Sequence, residues 1–188
     1  MTPEELVAHL KEADATFVER DGVQFGQASV WVPRDKWQAC AAHLKECGKC
    51  RFDMFTFLCG VDLPDEGQIE VVAHLYSVRR QHHLNMKVRV ARDGGSVPTL
   101  SGIWRGANWH ERETWELFGV VFEGHEHLHK LLLPEAFEGH PLRKDFLLMT
   151  REAKEWEGRE EPGGPNTTPR PASVPAASSS HPARGGEA

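Results

Sequence analysis

Apolar positions along the chain switch between a helical and an alternating period, and those switches predict the elements. A first helix fits Pro3–Ala13, with Thr2 as N-cap and Pro3 at the first helical position. Two strands follow, around Thr16–Arg20 and over Gln24–Val32, the second alternating through Phe25, Ala28, Val30 and Val32. Asp21-Gly22 reads as the hairpin turn between them. Pro33 opens a helix to about Cys47, with Trp37, Ala41 and Leu44 at helical spacing and Gly48 as its stop. Strands are predicted over Arg51–Cys59, Gln68–Val78 and His83–Val90, with Pro64-Asp65-Glu66-Gly67 as turn chemistry. Met86, Val88 and Val90 alternate strongly, which calls for one wet face. Short links between neighbouring strands imply antiparallel pairing, because parallel neighbours need a long crossover. A third helix is predicted over Gly102–Phe118, stopped by Gly119, and Val120–Phe146 is rich in Gly, His and Pro and reads as irregular. The expected class is α+β: a mostly antiparallel sheet with flanking helices, then an extended arm.

Composition adds a boundary. Residues 161–188 hold 6 of the 12 prolines, and no aromatic residue follows Trp156. Such a stretch cannot bury enough apolar area to offset its conformational entropy. The expected organisation is therefore a platform domain over 1–118, a docking arm over 119–150 and a disordered low-complexity tail over 151–188. The net charge of −6 argues against nucleic-acid binding, which calls for clustered Lys and Arg. No apolar run has the length of a membrane span, and the N-terminus lacks the basic and apolar stretches of a secretory signal, so the reading is a cytosolic chain.

Three constellations carry candidate chemistry. Cys47-Gly-Lys-Cys50 is a C-x-x-C, which suits a redox dithiol or half of a metal site. It closes a helix where a thioredoxin-like motif would open one, and Cys40 and Cys59 lie in apolar stretches, so free thiols are expected. His125-Glu-His-Leu-His129 satisfies the H-E-x-x-H of zinc hydrolases, whose chemistry requires a helix to bring both imidazoles onto one metal. Here it follows Gly124 directly, so a chance match is expected. On the third helix, Glu111 lies on or beside an apolar stripe, and Arg112 and Glu116 stand at i, i+4 as a modest surface pair. Trp104, Trp109 and Trp115 crowd the same helix, which favours a partner surface.

These residues resemble a known family. The run Glu111-Arg112-Glu113-Thr-Trp-Glu-Leu-Phe118-Gly119-Val-Val-Phe122, then Gly124-His125, then Gly139-His140-Pro141-Leu142-Arg143-Lys144-Asp145-Phe146 resembles the 30-kDa subunit of proton-pumping NADH:quinone oxidoreductase, respiratory complex I. Upstream, Gly60-Val61-Asp62 and Val97-Pro98-Thr-Leu100 extend the likeness. Two places depart from the family pattern: Trp115-Glu116 stands where Tyr-Asp is usual, and Glu126 and His129-Lys130 replace a Pro and two basic residues.

The resemblance implies a peripheral subunit on the cytoplasmic face of the bacterial cell membrane. It implies no flavin, iron–sulfur cluster or metal on this chain, with flavin and clusters on partner subunits. The implied partners are the quinone-site (49-kDa-type) subunit and other hydrophilic-arm subunits, with no catalytic residue here. Equivalent subunits of membrane-bound hydrogenases or ferredoxin-linked complexes are the alternative, and a zinc hydrolase the remote one. The expected partner interface comprises Trp109, Glu111, Arg112, Glu113, Phe118, Gly119, His125, Lys130 and His140, Pro141, Leu142, Arg143, Lys144, Asp145 and Phe146. Leu142 and Phe146 are expected as apolar anchors, and Arg143 as a fork onto a neighbour's carboxylate.

Overall fold

The computed structural model describes residues 1–147, so the expectation for 151–188 lies outside the described residues. Helix α1 (Pro3–Ala13) starts as expected, in a reciprocal cap: Glu5 N–H donates to Thr2 Oγ1 at 3.2 Å and Thr2 N–H to the Glu5 carboxylate at 2.9 Å. It buries Leu6, Val7 and Leu10. The segment expected as a first strand is instead a single 3-10 turn, Ala15–Phe17, because the Asp14 carboxylate accepts from both the N–H and the hydroxyl of Thr16. Strands β1 (Arg20–Gln24) and β2 (Gln27–Trp31) pair antiparallel, and their turn is Phe25-Gly26, with φ of 51° and 73°. Two left-handed residues give the turn the twist that a two-residue hairpin needs. Asp21 and Gly22 lie inside the ladder opposite Val30 and Ser29, and Phe25, read as part of the alternating strand, is fully exposed in the turn.

Helix α2 (Trp37–Glu46) follows and buries Trp37, Cys40, Ala41 and Leu44. Cys47 is its C-cap. Strands β3 (Met54–Leu63), β4 (Gln68–Ser77) and β5 (His82–Ala91) form the expected antiparallel meander. The full sheet order is β1-β2-β5-β4-β3, with β2 parallel to β5. The long crossover that parallel neighbours require is supplied by α2, β3 and β4 together.

Alternation sorts the sheet into two faces. Ala28, Val30, Ile69, Val71, Ala73, Leu84, Met86 and Val88 are buried in one cluster with Leu6 and Leu10 of α1 and Trp37 and Leu44 of α2. Each fully buried Val, Ile, Leu or Met side chain among them contributes about 1.5–3 kcal/mol. Phe57 and Val61 point the other way and stay exposed, as does Cys59, a free thiol.

Helix α3 (Ala107–Phe118) begins later than expected. Residues 100–106 instead coil through turns in which the N–H groups of Ile103 and Trp104 both donate to Leu100 O. The helix ends at Gly119, whose φ of +82° is the left-handed cap. α3 lies against β3, where Gly60 leaves room for the Phe118 ring: a Cβ there would sit 2.8 Å from it. The stretch expected as wholly irregular contributes strand β7 (Val121–Glu123), parallel to β6 (Ser96–Pro98).

Candidate functional site

The candidate residues converge on one construction, a clasp between α3 and the arm that follows it. Its centre is Glu111, fully buried. Its carboxylate accepts from Leu100 N–H at 2.6 Å and from the Thr99 hydroxyl. Nε2 of His125 lies 4.0 Å away and donates to Asn108 O at 3.3 Å. Burial pushes the Glu111 pKa up to about 7 against the pull of those two hydrogen bonds. One turn on, Arg112 and Glu116 are not the exposed pair their spacing predicts. Both are buried, and each holds the arm separately. Arg112 donates to His129 O and Lys130 O, each at 3.1 Å, and its guanidinium lies 5.1 Å from the centroid of the exposed Trp109 ring.

The Glu116 carboxylate accepts from three consecutive backbone N–H groups, Leu131 and Leu132 at 2.9 Å and Leu133 beside them. Burial would raise its pKa, but the donors of Leu132, Leu131 and Leu133 outweigh it and hold the group below its usual value. Lys130 Nζ ties off the next turn by donating to Pro134 O, Glu135 O and Phe137 O.

The Gly-His-Pro-Leu-Arg-Lys-Asp-Phe block closes the C-terminal end of α3. A helix leaves its last carbonyls without intrahelical donors. Here His140 Nδ1 donates to Glu116 O at 2.8 Å, Leu142 N–H to Leu117 O at 3.2 Å, and Arg143 Nε to Phe118 O at 2.7 Å. Arg143 also donates to Arg92 O at 2.7 Å and to Asp93 at 2.8 Å. All three of its nitrogens are thus engaged within the chain, which corrects the expectation of a fork onto a neighbour. The geometry selects this because the negative end of a helix attracts a cation. Gly119 is where this cap passes closest: a Cβ there would meet His140 Nε2 at 2.6 Å and Arg143 Nη2 at 2.7 Å. Beyond it, the Lys144 N–H and the Arg92 guanidinium both donate to Asp62, and Arg92 also holds Asp145 at 2.6 Å. The Phe146 ring stacks near Phe137, with centroids 5.8 Å apart, and covers Gly139.

Among the sequence-derived candidates, Glu111, Arg112, Phe118, Gly119, His125, Lys130, His140, Arg143, Asp145 and Phe146 are brought together by this clasp. Pro141 is half-buried between its two anchors, and the side chains of Lys144 and Leu142 face out. Glu113 is half-buried and accepts no hydrogen bond among the described residues. Sequence reasoning missed Glu116, Asp62, Arg92 and Thr99. Glu116 stood out only as a departure from a pattern, and Asp62 and Arg92 meet across 30 positions of chain without a local signal. Residues 125–129 form no helix, so the H-E-x-x-H spacing does not bring its two imidazoles onto one side.

Residues 30–152 match the family model for the respiratory-chain NADH dehydrogenase 30 Kd subunit. The chain belongs to that family. The matched span contains β3 to β5, α3 and the whole clasp, so the blocks that carry the resemblance are those that bind the arm to α3. Among relatives of this 30-kDa subunit family, the C subunit of the NADH-quinone oxidoreductase of Roseiflexus sp. is 44% identical over 128 residues, 68% of this chain and 74% of that protein. Its counterpart in Chlorobium phaeobacteroides is 43% identical over 113 residues, 60% of this chain and 68% of its own. Two solved structures share the fold. One belongs to the membrane-bound sulfane sulfur reductase, an archaeal respiratory membrane complex, with a TM-score of 0.68 at 31% identity over 78% of this chain and 86% of that one. The other, a trypsin-resistant fragment of Nqo5, gives 0.55 at 29% identity over 67% of this chain and 99% of the fragment.

Proposed function

We propose that this chain is a peripheral hydrophilic-arm subunit of a proton-translocating NADH:quinone oxidoreductase, docked on the quinone-site subunit at the cytoplasmic face. It carries no flavin or iron–sulfur cluster and supports electron transfer from NADH to quinone by holding its partners in place. The observation that carries this reading is a set of apolar side chains left in water on the hydrogen-bonded clasp. Trp109 is 59% exposed, Leu132 62% and Leu142 51%. Trp109 lies on α3 itself, the Leu132 N–H is bonded to Glu116, and the Leu142 N–H to Leu117. Aromatic and aliphatic anchors held in fixed positions lose little entropy on docking, which suits a stable protein interface. The membrane enters through partners: no described helix is long and apolar enough to cross one.

Co-purification tests the reading. The tagged chain should retain its quinone-site partner, and the double variant Trp109→Glu, Leu132→Asp should lose it while keeping the wild-type circular dichroism spectrum. Retention of the partner at undiminished stoichiometry by the folded double variant would remove these residues as the docking surface.

A further inference from the structure

At the opposite end of the chain from the clasp motifs, α1 and the end of α2 bring three soft ligand atoms together. Nε2 of His9 lies 3.2 Å from Cys47 Sγ, and the ligand atoms of His9, Cys47 and Cys50 all fall within 4.8 Å of one another. They form the one such His/Cys/Asp/Glu cluster found among the described residues. The loop that presents the sulfurs is tightly determined. Arg51 N–H donates to Cys47 O at 2.7 Å, Phe52 N–H to Leu44 O, and Nε2 of His82 to Cys50 O at 2.8 Å. Arg51 takes a φ of +46°, an uncommon conformation that turns the chain back sharply after Cys50.

The surroundings also favour a cation. Nε2 of His9 faces the sulfurs, while its Nδ1 lies 4.0 Å from the exposed Glu12 carboxylate, beyond hydrogen-bonding distance. His43, one turn before Cys47, packs its ring 6.3 Å from that of His9, and its buried Nε2 has no hydrogen-bond partner among the described residues.

We propose that His9, Cys47 and Cys50 form a zinc site, with two thiolates and one imidazole as ligands and a fourth position left open beside His43. Binding forms two Zn–S bonds and one Zn–N bond and releases the remaining thiol protons to solvent, with no change of oxidation state. A C-x-x-C completed by a histidine matches the nitrogen and sulfur ligands that zinc selects. The cation ties the N-terminal helix to the end of α2 and transfers no electrons, so the site stands apart from the docking reading.

The test uses the full chain, reduced with a phosphine, stripped of metal and then equilibrated with zinc chloride. One zinc per chain should survive desalting and should raise Tm. Cobalt(II) in its place should give a sulfur-to-cobalt charge-transfer band. Cys47→Ser and Cys50→Ser should each abolish stoichiometric binding, and His9→Gln should weaken it about tenfold or more. Cys59→Ser, whose thiol lies outside the cluster, should bind as wild type. His9→Gln guards against a cysteine variant that fails to fold, because His9 lies at the edge of the core and is not fully buried. Zinc retained equally by the wild-type, Cys47→Ser and His9→Gln chains would be adventitious and would overturn the proposal. So would a reduced chain that takes up no zinc and instead closes a Cys47–Cys50 disulfide in air.

Discussion

Replacing Arg143 with alanine removes the cation that caps α3, and the cost can be worked from its three contacts. Two are charge-assisted donations to backbone carbonyls, Phe118 O and Arg92 O, both at 2.7 Å. A hydrogen bond to a charged group contributes about 1.5–3 kcal/mol net, and the low end applies here because water can reach part of the site. The third contact, to Asp93, counts for nothing measurable, because that carboxylate is 88% exposed. The charge at the helix terminus adds about 0.3–1 kcal/mol. The total is about 3.5 kcal/mol, which for a body of this size lowers Tm by roughly 7–14 °C. Urea unfolding of the isolated chain, followed by circular dichroism, measures it directly. Arg143→Lys keeps the charge but loses the fork and should recover only part of the difference. Lys144→Ala, whose contribution to the clasp is its backbone N–H, should lie within about 0.5 kcal/mol of wild type. A midpoint for Arg143→Ala indistinguishable from wild type would show that the cap is not what holds the arm.

Two further perturbations probe the same construction. Glu111 titrates near 7 in the folded chain against 4.5 ordinarily, so the stability it contributes is complete below pH 4.5 and declines as pH rises through 7. Glu111→Gln should therefore gain up to about 3 kcal/mol relative to wild type between pH 4.5 and 8; a constant difference across that range would refute the buried, neutralised carboxyl. The lowered pKa values of Asp62, Glu70, Glu116 and Asp145 act in the opposite sense, losing stability as pH falls, but do so in both chains and cancel in the difference. Gly119→Ala combines the left-handed strain with a blocked Cβ and should cost more than the roughly 1–2 kcal/mol of strain alone, read as a fall in Tm. A loss below about 1 kcal/mol would mean that His140 and Arg143 yield freely.

How much of this was legible from residues depended on the range of the interaction. α1 could be read because its cap, Thr2 with Glu5, is local, and the β3–β4–β5 meander because its links are short. The hairpin turn was misplaced because Asp-Gly is a common left-handed pair, whereas Phe25 takes up that conformation against its own preference. The parallel contact of β2 with β5 has no local trace, since some 50 residues separate the two strands. The same holds for the clasp. A glycine- and histidine-rich block announces that its residues matter, but a helix's unbonded carbonyls carry no side chain that could reveal what the block is for. Arg112 and Glu116 illustrate the point: their spacing suggests a mutual pair, and only the arm's path shows that each serves a different stretch of backbone.

The final turn of α3 also sets an order of events during synthesis. Its terminal carbonyls at Glu116 and Phe118 find their donors in residues translated 24 and 25 positions later. A ribosome-bound chain that has emerged only as far as Gly119 therefore exposes a frayed helix end. That end is completed when His140 and Arg143 leave the exit tunnel and fold back.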